Sequence, residues 1–188
     1  MAKLIYISNV SLDGYMEDEH GTLDWSTPSD DVFAFITDLI RPISTHLYGR
    51  RLYRSMAVWE TDPALAAESE LMREFAEVWQ GADKVVYSAT QDTASTARTR
   101  IEPTFDPDAV RDLKASASRD LTVGGAELAS HALAADLVDE YHAFIHPVIL
   151  GGGKPALPSG RRQELELLEE RQFDNGVVYL RYRLRRRT

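Results

Sequence analysis

Two glycines lie between a short β-type run and a helical run in the middle of this chain. The run at 121–123 leads into Gly124 and Gly125, and a helical pattern starts at once with Ala126. Glycine allows a sharp turn and a close approach of another molecule to the main chain. The helix that follows offers free N–H groups and its positive dipole end to an anion. This unit is therefore a candidate cradle for the phosphates of a dinucleotide; the alternative is a tight strand-to-helix turn without a ligand.

A second glycine-rich run, Gly-Gly-Gly-Lys-Pro at 151–155, has the outline of a phosphate-binding P-loop. It lacks the upstream glycine of that motif, and proline stands where Ser or Thr would bind Mg²⁺. Among the five histidines, His142 and His146 share a predicted strand face, but a zinc-protease motif needs a glutamate after the first. The absence of cysteine excludes disulfides, thiolate catalysis and cysteine-ligated zinc. We therefore predict neither a P-loop nor a metal site.

Strand and helix patterns alternate along the chain and place most of these residues where a strand ends. Strands are predicted over 3–10, 44–48, 84–88, 121–123 and 141–150, and helices over 28–40, 65–79, 108–116 and from 126 onward. An Asp-Asn-Gly turn at 174–176 predicts a hairpin of 165–173 and 177–184. This order predicts an α/β sheet that is mainly parallel, with an antiparallel C-terminal hairpin. Ligands of such sheets bind outside the carboxyl ends of the strands.

The helix predicted over 28–40 begins with a capping pattern. Thr27 suits the N-cap, Pro28 the first helical position and Asp30 the third, where an acid completes a capping box. Asp31 lies on a different shoulder of the helix, since successive residues differ by about 100°, and is interpreted as a solvated acid. Asp30 is therefore a helix cap or, if Phe33 half buries it, a carboxyl group that relays a proton.

Composition limits the class of protein. A chain of 188 residues with 44% hydrophobic and 27% charged residues is typical of a single globular domain, here 1–188. The net charge of −9 argues against nucleic-acid binding, and the arginines at 181–187 are interpreted as a strand and a solvated tail. No apolar run approaches the about 20 residues that cross a bilayer, and the N-terminus shows no signal-peptide core. We expect a cytoplasmic protein without membrane contact.

The order of the strand-end segments carries a family resemblance. The segments are Ser-Leu-Asp-Gly at 11–14, Trp25, Tyr-Gly-Arg-Arg-Leu-Tyr at 48–53, Val-Val-Tyr-Ser at 85–88, Val-Gly-Gly-Ala at 123–126 and the run at 146–155. This order resembles the dihydrofolate reductase-like family, specifically stand-alone proteins similar to the reductase (C-terminal) domain of the bifunctional riboflavin-biosynthesis deaminase-reductase. The resemblance covers nearly the whole chain. It implies a three-layer α/β/α sandwich, NADPH as cofactor and hydride transfer as the chemistry.

The resemblance assigns a set of cofactor contacts. By position, these residues are Gly14, Gly49, Arg50, Arg51, Ser88, Gly124, Gly125 and Ala126. In the family, the segment like 124–126 holds the pyrophosphate, the loop like 49–51 binds cofactor phosphates, and the hydroxyl like Ser88 meets the ribose 2′-phosphate. Gly14 resembles a mobile loop over the nicotinamide. Because the arginine fork suits a phosphate, this set favours NADPH over NADH. The alternatives are a solvated turn at 49–51 and a plain Asp-Gly turn at Gly14.

The resemblance also assigns residues to the substrate side. Counted from Trp25, Asp30 resembles the single acid with which dihydrofolate reductase aids substrate protonation. Asp13 and Trp25 are similar in place to residues beside the substrate, and Lys154 belongs to a glycine-rich turn beside the cleft. A substrate phosphate would need cations, for which Lys154 and the Arg-Arg pair at 161–162 are the candidates.

These residues together predict an NADPH-dependent reductase of a pterin- or pyrimidine-type heterocycle, for example 5-amino-6-(5-phosphoribosylamino)uracil in riboflavin biosynthesis. Two alternatives stay open: dihydrofolate reductase, which Asp30 and Trp25 favour, and a non-catalytic NADPH-binding protein. We also predict a homodimer. The family commonly pairs, and the hairpin at 172–184 otherwise leaves a long edge strand with Tyr179 and Tyr182 exposed.

Overall fold

The computed structural model describes residues 1–185, so positions 186–187 of the predicted tail lie outside the described residues. The strands are β1 (Leu4–Ser11), β2 (Tyr15–Glu17), β3 (Thr45–Gly49), β4 (Asp83–Tyr87), β5 (Thr99–Glu102), β6 (Leu121–Gly124), β7 (Glu140–His146), β8 (Lys154–Pro155), β9 (Leu165–Gln172) and β10 (Val178–Leu184). The helices are α1 (Asp30–Ile40), α2 (Arg50–Met56), α3 (Val58–Thr61), α4 (Pro63–Ala67), α5 (Glu70–Gly81), α6 (Pro107–Ser116) and α7 (Ala126–Ala134). None of these helices has the length and apolar character needed to cross a membrane.

Eight strands form one sheet in the order β5-β4-β3-β6-β1-β7-β10-β9. Neighbours from β5 to β7 pair in parallel, and β10 runs antiparallel to both β7 and β9. The short strands β2 and β8 pair with each other in a separate ribbon. The predicted α/β fold, with a mainly parallel sheet and an antiparallel C-terminal hairpin, is therefore confirmed.

Side chains of β1 alternate between two cores on opposite faces of the sheet. Leu4 and Tyr6 are buried in one core, together with Leu128 of α7. Ile5 belongs to the other core, together with Trp79 of α5. Helices thus cover both faces, which gives the predicted three layers.

Two predicted element bounds differ from the structure for identifiable reasons. The helix predicted over 65–79 is divided into α4 and α5 because Ser69 caps α5, accepting a hydrogen bond from the N–H of Met72 at 3.1 Å. The strand predicted over 141–150 ends at His146, since Pro147 has no N–H with which to continue the ladder. The residues that follow, 147–153, are therefore a loop at the carboxyl end of β7.

The C-terminal hairpin buries the tyrosine that was expected at its edge. Because β10 lies between β7 and β9, the edge strand is β9. Tyr179 is 0% exposed and packs edge-on against Phe35 of α1, with ring centroids 4.8 Å apart. The predicted exposure of Tyr179 is therefore wrong, and Tyr182 is half-buried. The exposed apolar side chains of this edge are Leu165 (38%) and Leu167 (49%) of β9.

Candidate active site

The face of β1 toward α1 is open near the carboxyl end of the strand. Ile7 and Asn9 are only half-buried although β1 has a neighbouring strand on each side, whereas Ser8 and Val10 on the opposite face are buried. Half-buried apolar side chains pack with Ile7 on the same core, among them Phe33, Leu52, Met56 and Trp59. This partly open face lies near the carboxyl ends of the strands, where parallel α/β folds bind ligands, and we call it the candidate cleft.

The two glycines of the predicted phosphate cradle have different structural roles. Gly124 ends β6, and a Cβ on it would lie 2.5 Å from the Leu52 Cδ2 atom, so any larger residue would have to displace the Leu52 side chain. Gly125 is the N-cap of α7 with φ +91°, and no atom lies within 4 Å of the place of its Cβ. Its backbone therefore faces open space, and the N–H groups of Ala126 and the rest of the first turn of α7 lie beside that space.

Gly49 leads directly from β3 into α2 rather than into the predicted loop. Gly49 is the N-cap, so Arg50 and Arg51 occupy the first turn of the helix. Arg50 donates from Nη1 to the Thr90 hydroxyl, and within residues 1–185 no carboxylate pairs with it. Arg51 Nη1 lies 3.2 Å from Glu17 Oε2. The charge of Arg51 is thus balanced within the protein, while the charge of Arg50 is not.

Ser88 follows β4 and lies, like Arg50 after β3, beyond the carboxyl end of its strand. Its Oγ accepts hydrogen bonds from the N–H groups of Thr90 at 3.3 Å and Gln91 at 3.0 Å. Both bonds use the oxygen as an acceptor, so the hydroxyl proton stays free to donate. Because Arg50 contacts Thr90, the structure brings these two predicted cofactor residues together.

Asp13 joins the loop after β1 to the loop after β7. Its Oδ1 accepts from the Ser11 hydroxyl at 2.7 Å and from the N–H of Leu150 at 3.1 Å, and its Oδ2 accepts from the N–H of Gly151 at 2.8 Å. The Ser11 hydroxyl is the main cause of the lowered pKa of Asp13. Gly14, with φ +91°, is held by its carbonyl, which accepts from Ala156 N at 3.0 Å. We call this set of bonds at Asp13 the loop latch.

The glycine triplet at 151–153 brings the chain close to β2. A Cβ on Gly153 would lie 2.0 Å from the carbonyl oxygen of Glu17, and its φ of +126° also favours glycine. Lys154 follows in β8, in register with Glu17. No hydrogen bond or ion pair occupies the Lys154 amine within the described part of the chain. The Lys154 amine could therefore bind a ligand, and its place in the substrate site stays a prediction.

The start of α1 differs from its predicted capping box. Ser29 is the N-cap and Asp30 is the first helical residue, not the third. The predicted half-burial of Asp30 beside Phe33 is also wrong, since Asp30 is exposed. Asp31 is the acid with local contacts: its Oδ1 accepts from the Ser29 hydroxyl and from the N–H of Val32 at 2.9 Å. The Ser29 hydroxyl is the main cause of the lowered pKa of Asp31.

Trp25 packs against His146, and His146 in turn bonds to Asn9; the motif analysis assigned neither of these two residues to the site. The Trp25 ring meets His146 edge-on at 5.5 Å between centroids, and its Nε1 donates to the carbonyl of Thr22 at 3.2 Å. His146 Nε2 lies 3.0 Å from Asn9 Oδ1. A histidine on a strand has an ordinary interpretation as a sheet residue, and no sequence signal joined it to Asn9. The partly open position of Asn9 on a central strand is visible only in the fold.

Two of the cations considered for a substrate phosphate lie elsewhere. Arg161 pairs with Asp136. Asp136 precedes β7, so this pair lies at the amino ends of the strands and away from the candidate site at their carboxyl ends. Arg162 lies 3.4 Å from Glu164. Within residues 1–185, no three His, Asp or Glu side chains are grouped so that they could hold a metal ion.

Comparison with known families and proteins gives a consistent result. A profile described as the RibD C-terminal domain matches residues 2–179. The uncharacterized protein YyaP of Bacillus subtilis (strain 168) is 31% identical over 175 residues, which covers 92% of this chain and 90% of YyaP. The match therefore extends over nearly the full length of both proteins.

Solved structures with the same fold include reductases. A Shewanella sp. PV-4 protein described as belonging to riboflavin biosynthesis has a TM-score of 0.73 at 22% identity, covering 99% of this chain and 100% of that one. The Thermotoga maritima deaminase/5-amino-6-(5-phosphoribosylamino)uracil reductase has a TM-score of 0.65 at 15% identity, covering 97% of this chain and 56% of that one. Enterococcus faecalis dihydrofolate reductase complexed with NADP(H) has a TM-score of 0.64 at 13% identity, covering 97% and 96%. At these identities the likeness concerns the fold.

Proposed function

Because the chain belongs to the RibD C-terminal domain family, we propose that it is an NADPH-dependent reductase of a pterin- or pyrimidine-type heterocycle. Membership of the family supports a reductase of the riboflavin-pathway type. A fold shared with dihydrofolate reductase is compatible with the same chemistry, but sites rather than folds determine the substrate. The argument for cofactor and substrate therefore rests on the residues of the cleft.

The observation that carries the cofactor proposal is Arg50 beside Ser88. Arg50 has a hydroxyl partner but, among residues 1–185, no carboxylate partner, and Ser88 keeps a proton to donate. An uncompensated cation beside a donor hydroxyl suits a phosphate monoester such as the 2′-phosphate of NADPH, which NADH lacks. The open backbone at Gly125 and the first turn of α7 suit the pyrophosphate.

NADPH, when bound, supplies the hydride. The chain has to orient the acceptor, exclude water and provide a proton. Ile7, Phe33 and Trp59 give the cleft apolar sides, which favours a planar ring and disfavours bulk water. Asp30 is proposed as the acid because of its position at the start of α1, without the half-burial that the sequence predicts; since it is exposed, solvent can restore its proton after each turnover.

The substrate side favours particular ligands. 5-Amino-6-(5-phosphoribosylamino)uracil carries a phosphate, and Lys154 is its proposed partner. Arg161 is not, because it lies at the amino ends of the strands, on the far side of the sheet from the candidate site. Asp13 and Trp25 are proposed to border the bound ring. Dihydrofolate is the second candidate substrate, favoured by the positions of Trp25 and Asp30 before and at the start of α1.

Steady-state NADPH oxidation with a panel of pterins, dihydrofolate and aminopyrimidines, including the phosphoribosyl compound, tests the proposal. We expect turnover with at least one compound, and by calorimetry weaker binding of NADH than of NADPH. Tight NADPH binding without turnover on the whole panel would instead indicate a non-catalytic NADPH-binding protein. Equal affinity for NADH and NADPH would contradict the cofactor assignment.

We further propose a homodimer that pairs through β9. This edge strand combines unpaired backbone groups with exposed Leu165 and Leu167, a combination that promotes strand pairing between chains. Light scattering at micromolar concentration is expected to give twice the 21.1 kDa chain mass. Leu167→Lys should shift the mass toward that of one chain. A wild-type mass of one chain, unchanged by NADPH, would reject the dimer.

A further inference from the structure

Asn9 is a polar residue with an unusual position, half-exposed on a strand in the middle of the sheet. β1 is paired with β6 on one side and β7 on the other, so the exposure of Asn9 does not come from a sheet edge. It comes from the open face between β1 and α1, which Asn9 shares with Ile7. A side chain in this position faces whatever occupies the cleft.

His146 fixes the orientation of the Asn9 side chain. An amide oxygen can only accept, so the 3.0 Å contact is a donation from His146 Nε2–H to Asn9 Oδ1. His146 is 3% exposed, and this burial lowers its pKa, which favours the neutral ring; the contact with Asn9 Oδ1 then places the single ring proton on Nε2. The Trp25 ring packs edge-on against the same imidazole and limits its rotation.

The free half of the Asn9 amide is therefore a hydrogen-bond donor. With Oδ1 directed at His146, the two N–H bonds of Nδ2 point away from the histidine. No acceptor within residues 1–185 bonds to Nδ2. A partly exposed donor with a fixed orientation, beside the apolar residue Ile7, is a recognition group for an acceptor on a flat ligand.

Resting on the proposed function, we infer that Asn9 is a substrate-binding residue and that His146 is the positioning residue that orients it. The Asn9 N–H groups donate to a carbonyl oxygen or an unprotonated ring nitrogen of the heterocycle. The substrate class is thus a heterocycle that presents an acceptor edge, such as a lactam, to β1. Sites that hydrogen-bond a substrate group strongly reject analogues that lack the group, because the buried partner is then left unpaired.

The test compares variants of Asn9 and His146 by KM, kcat and NADPH affinity. Asn9→Ala should raise the KM of the best panel substrate at least tenfold, with NADPH affinity unchanged. Asn9→Asp keeps the shape of the side chain but replaces the donor with an acceptor, so it should raise the KM by as much as Asn9→Ala. His146→Phe should reproduce the Asn9→Ala effect, and His146→Gln, which can still donate, should restore most of the affinity.

A double variant and a matched control separate this role from a structural one. Asn9→Ala with His146→Phe should be no worse than Asn9→Ala alone, because the histidine acts through the amide. The control is His142→Phe, which makes the same change on the same face of β7 at a residue equally buried. It should lower the melting temperature and leave the KM unchanged.

The outcomes distinguish this inference from the proposed function. If the NADPH-loaded wild type neither reduces nor binds any heterocycle of the panel, both are overturned. If the wild type turns over and Asn9→Ala leaves the KM unchanged, only the role of Asn9 is overturned. A lower KM in Asn9→Asp would contradict the inference that the substrate presents an acceptor to Asn9, because it would indicate that the substrate donates to this position.

Discussion

The proposed cofactor side and the proposed substrate side of the site are built differently. On the cofactor side, within residues 1–185, no carboxylate pairs with Arg50 after β3, and no atom lies within 4 Å of the place of a Cβ on Gly125 after β6. On the substrate side, the polar groups bond to one another. Asp13 holds the loop after β7, and His146 holds Asn9.

This difference indicates two ways of preparing a site. A charged ligand such as a phosphate brings its own strong interactions, so its site needs only an uncompensated cation and an accessible backbone. A neutral ring brings weaker ones, and its site gains more from groups whose orientation is fixed beforehand. The cofactor side should therefore be sensitive to loss of charge or space, and the substrate side to loss of internal contacts.

The largest effect is expected on the cofactor side, from Gly125→Val. The side chain would occupy the open space before the backbone and would strain a residue with φ +91°, so NADPH binding should be abolished. Calorimetry measures the binding, and a thermal melt verifies that the variant is folded.

The matched control is Gly160→Val. Gly160 also has a positive φ, +75°, with no atom within 4 Å of the place of its Cβ. It should show a comparable backbone strain and normal NADPH binding. A folded Gly125→Val protein with wild-type NADPH affinity would contradict the proposal that the pyrophosphate binds at Gly125 and the first turn of α7.

The second-largest effect is expected from Asp30→Asn on the substrate side. If Asp30 provides the proton, turnover should fall by about 100-fold, a typical contribution of general acid catalysis, while NADPH affinity stays the same. Asp31→Asn is the control, because Asp31 bonds to Ser29 and Val32 and should affect only helix stability. Unchanged turnover in Asp30→Asn over the full pH range would remove this residue from the mechanism.

Arg50→Ala should weaken NADPH binding by about 1.5–3 kcal/mol, the usual value of a hydrogen bond to a charged group, and leave NADH binding unchanged. Arg51→Ala should have a smaller effect, since Arg51 already pairs with Glu17. Arg54→Ala, an exposed arginine in the last turn of the same helix, controls for a general change in charge. If all three variants lost the same affinity for both cofactors, the 2′-phosphate assignment would be incorrect.

The smallest effect is expected from Asp13→Asn, which weakens the loop latch but keeps the size of the side chain that is proposed to border the bound ring. Amide exchange at Leu150 and Gly151 should become faster, and KM should rise by a few-fold. Asp18→Asn is the control, since the Asp18 carboxylate bonds within its own loop to His20 and Thr22. Equal protection of these two amides in Asp13→Asn and wild type would contradict the latch.

The latch also has a predictable pH dependence. The pKa of Asp13 is lowered in the folded protein, chiefly by the Ser11 hydroxyl. The stabilisation from the latch is therefore complete above the ordinary carboxyl pKa and is lost as the pH falls through the lowered value. Amide exchange at Gly151, measured against pH, should show this loss in the wild type and not in Asp13→Asn.

The parts of the fold and site that depend on local pattern could be predicted from the sequence. The alternation of strands and helices led to the confirmed fold, and the order of strand-end motifs led to the confirmed family. Arg50 and Ser88 both bond to Thr90 because their segments leave the adjacent parallel strands β3 and β4 at their carboxyl ends. The homodimer and the cytoplasmic location stay predictions.

The parts that depend on distant contacts could not be predicted. Asn9 and His146 are 137 positions apart, and Asp13 and Gly151 are 138 apart. Neither pair belongs to one motif, so their contact follows only from the register of β1 with β7. The burial of Tyr179 likewise depends on strand order, since β10 would be an edge strand if β9 did not cover it.

Gly124 has a consequence for the apolar lining of the proposed site. A Cβ on Gly124 would lie 2.5 Å from Leu52 Cδ2 and 3.3 Å from two ring atoms of Tyr48. Leu52 is one of the half-buried apolar residues that pack with Ile7. Gly124→Ala should therefore turn the Leu52 side chain away from its present position and change the shape of this lining. A residue behind the sheet surface thus helps to determine the surface that a ligand would meet.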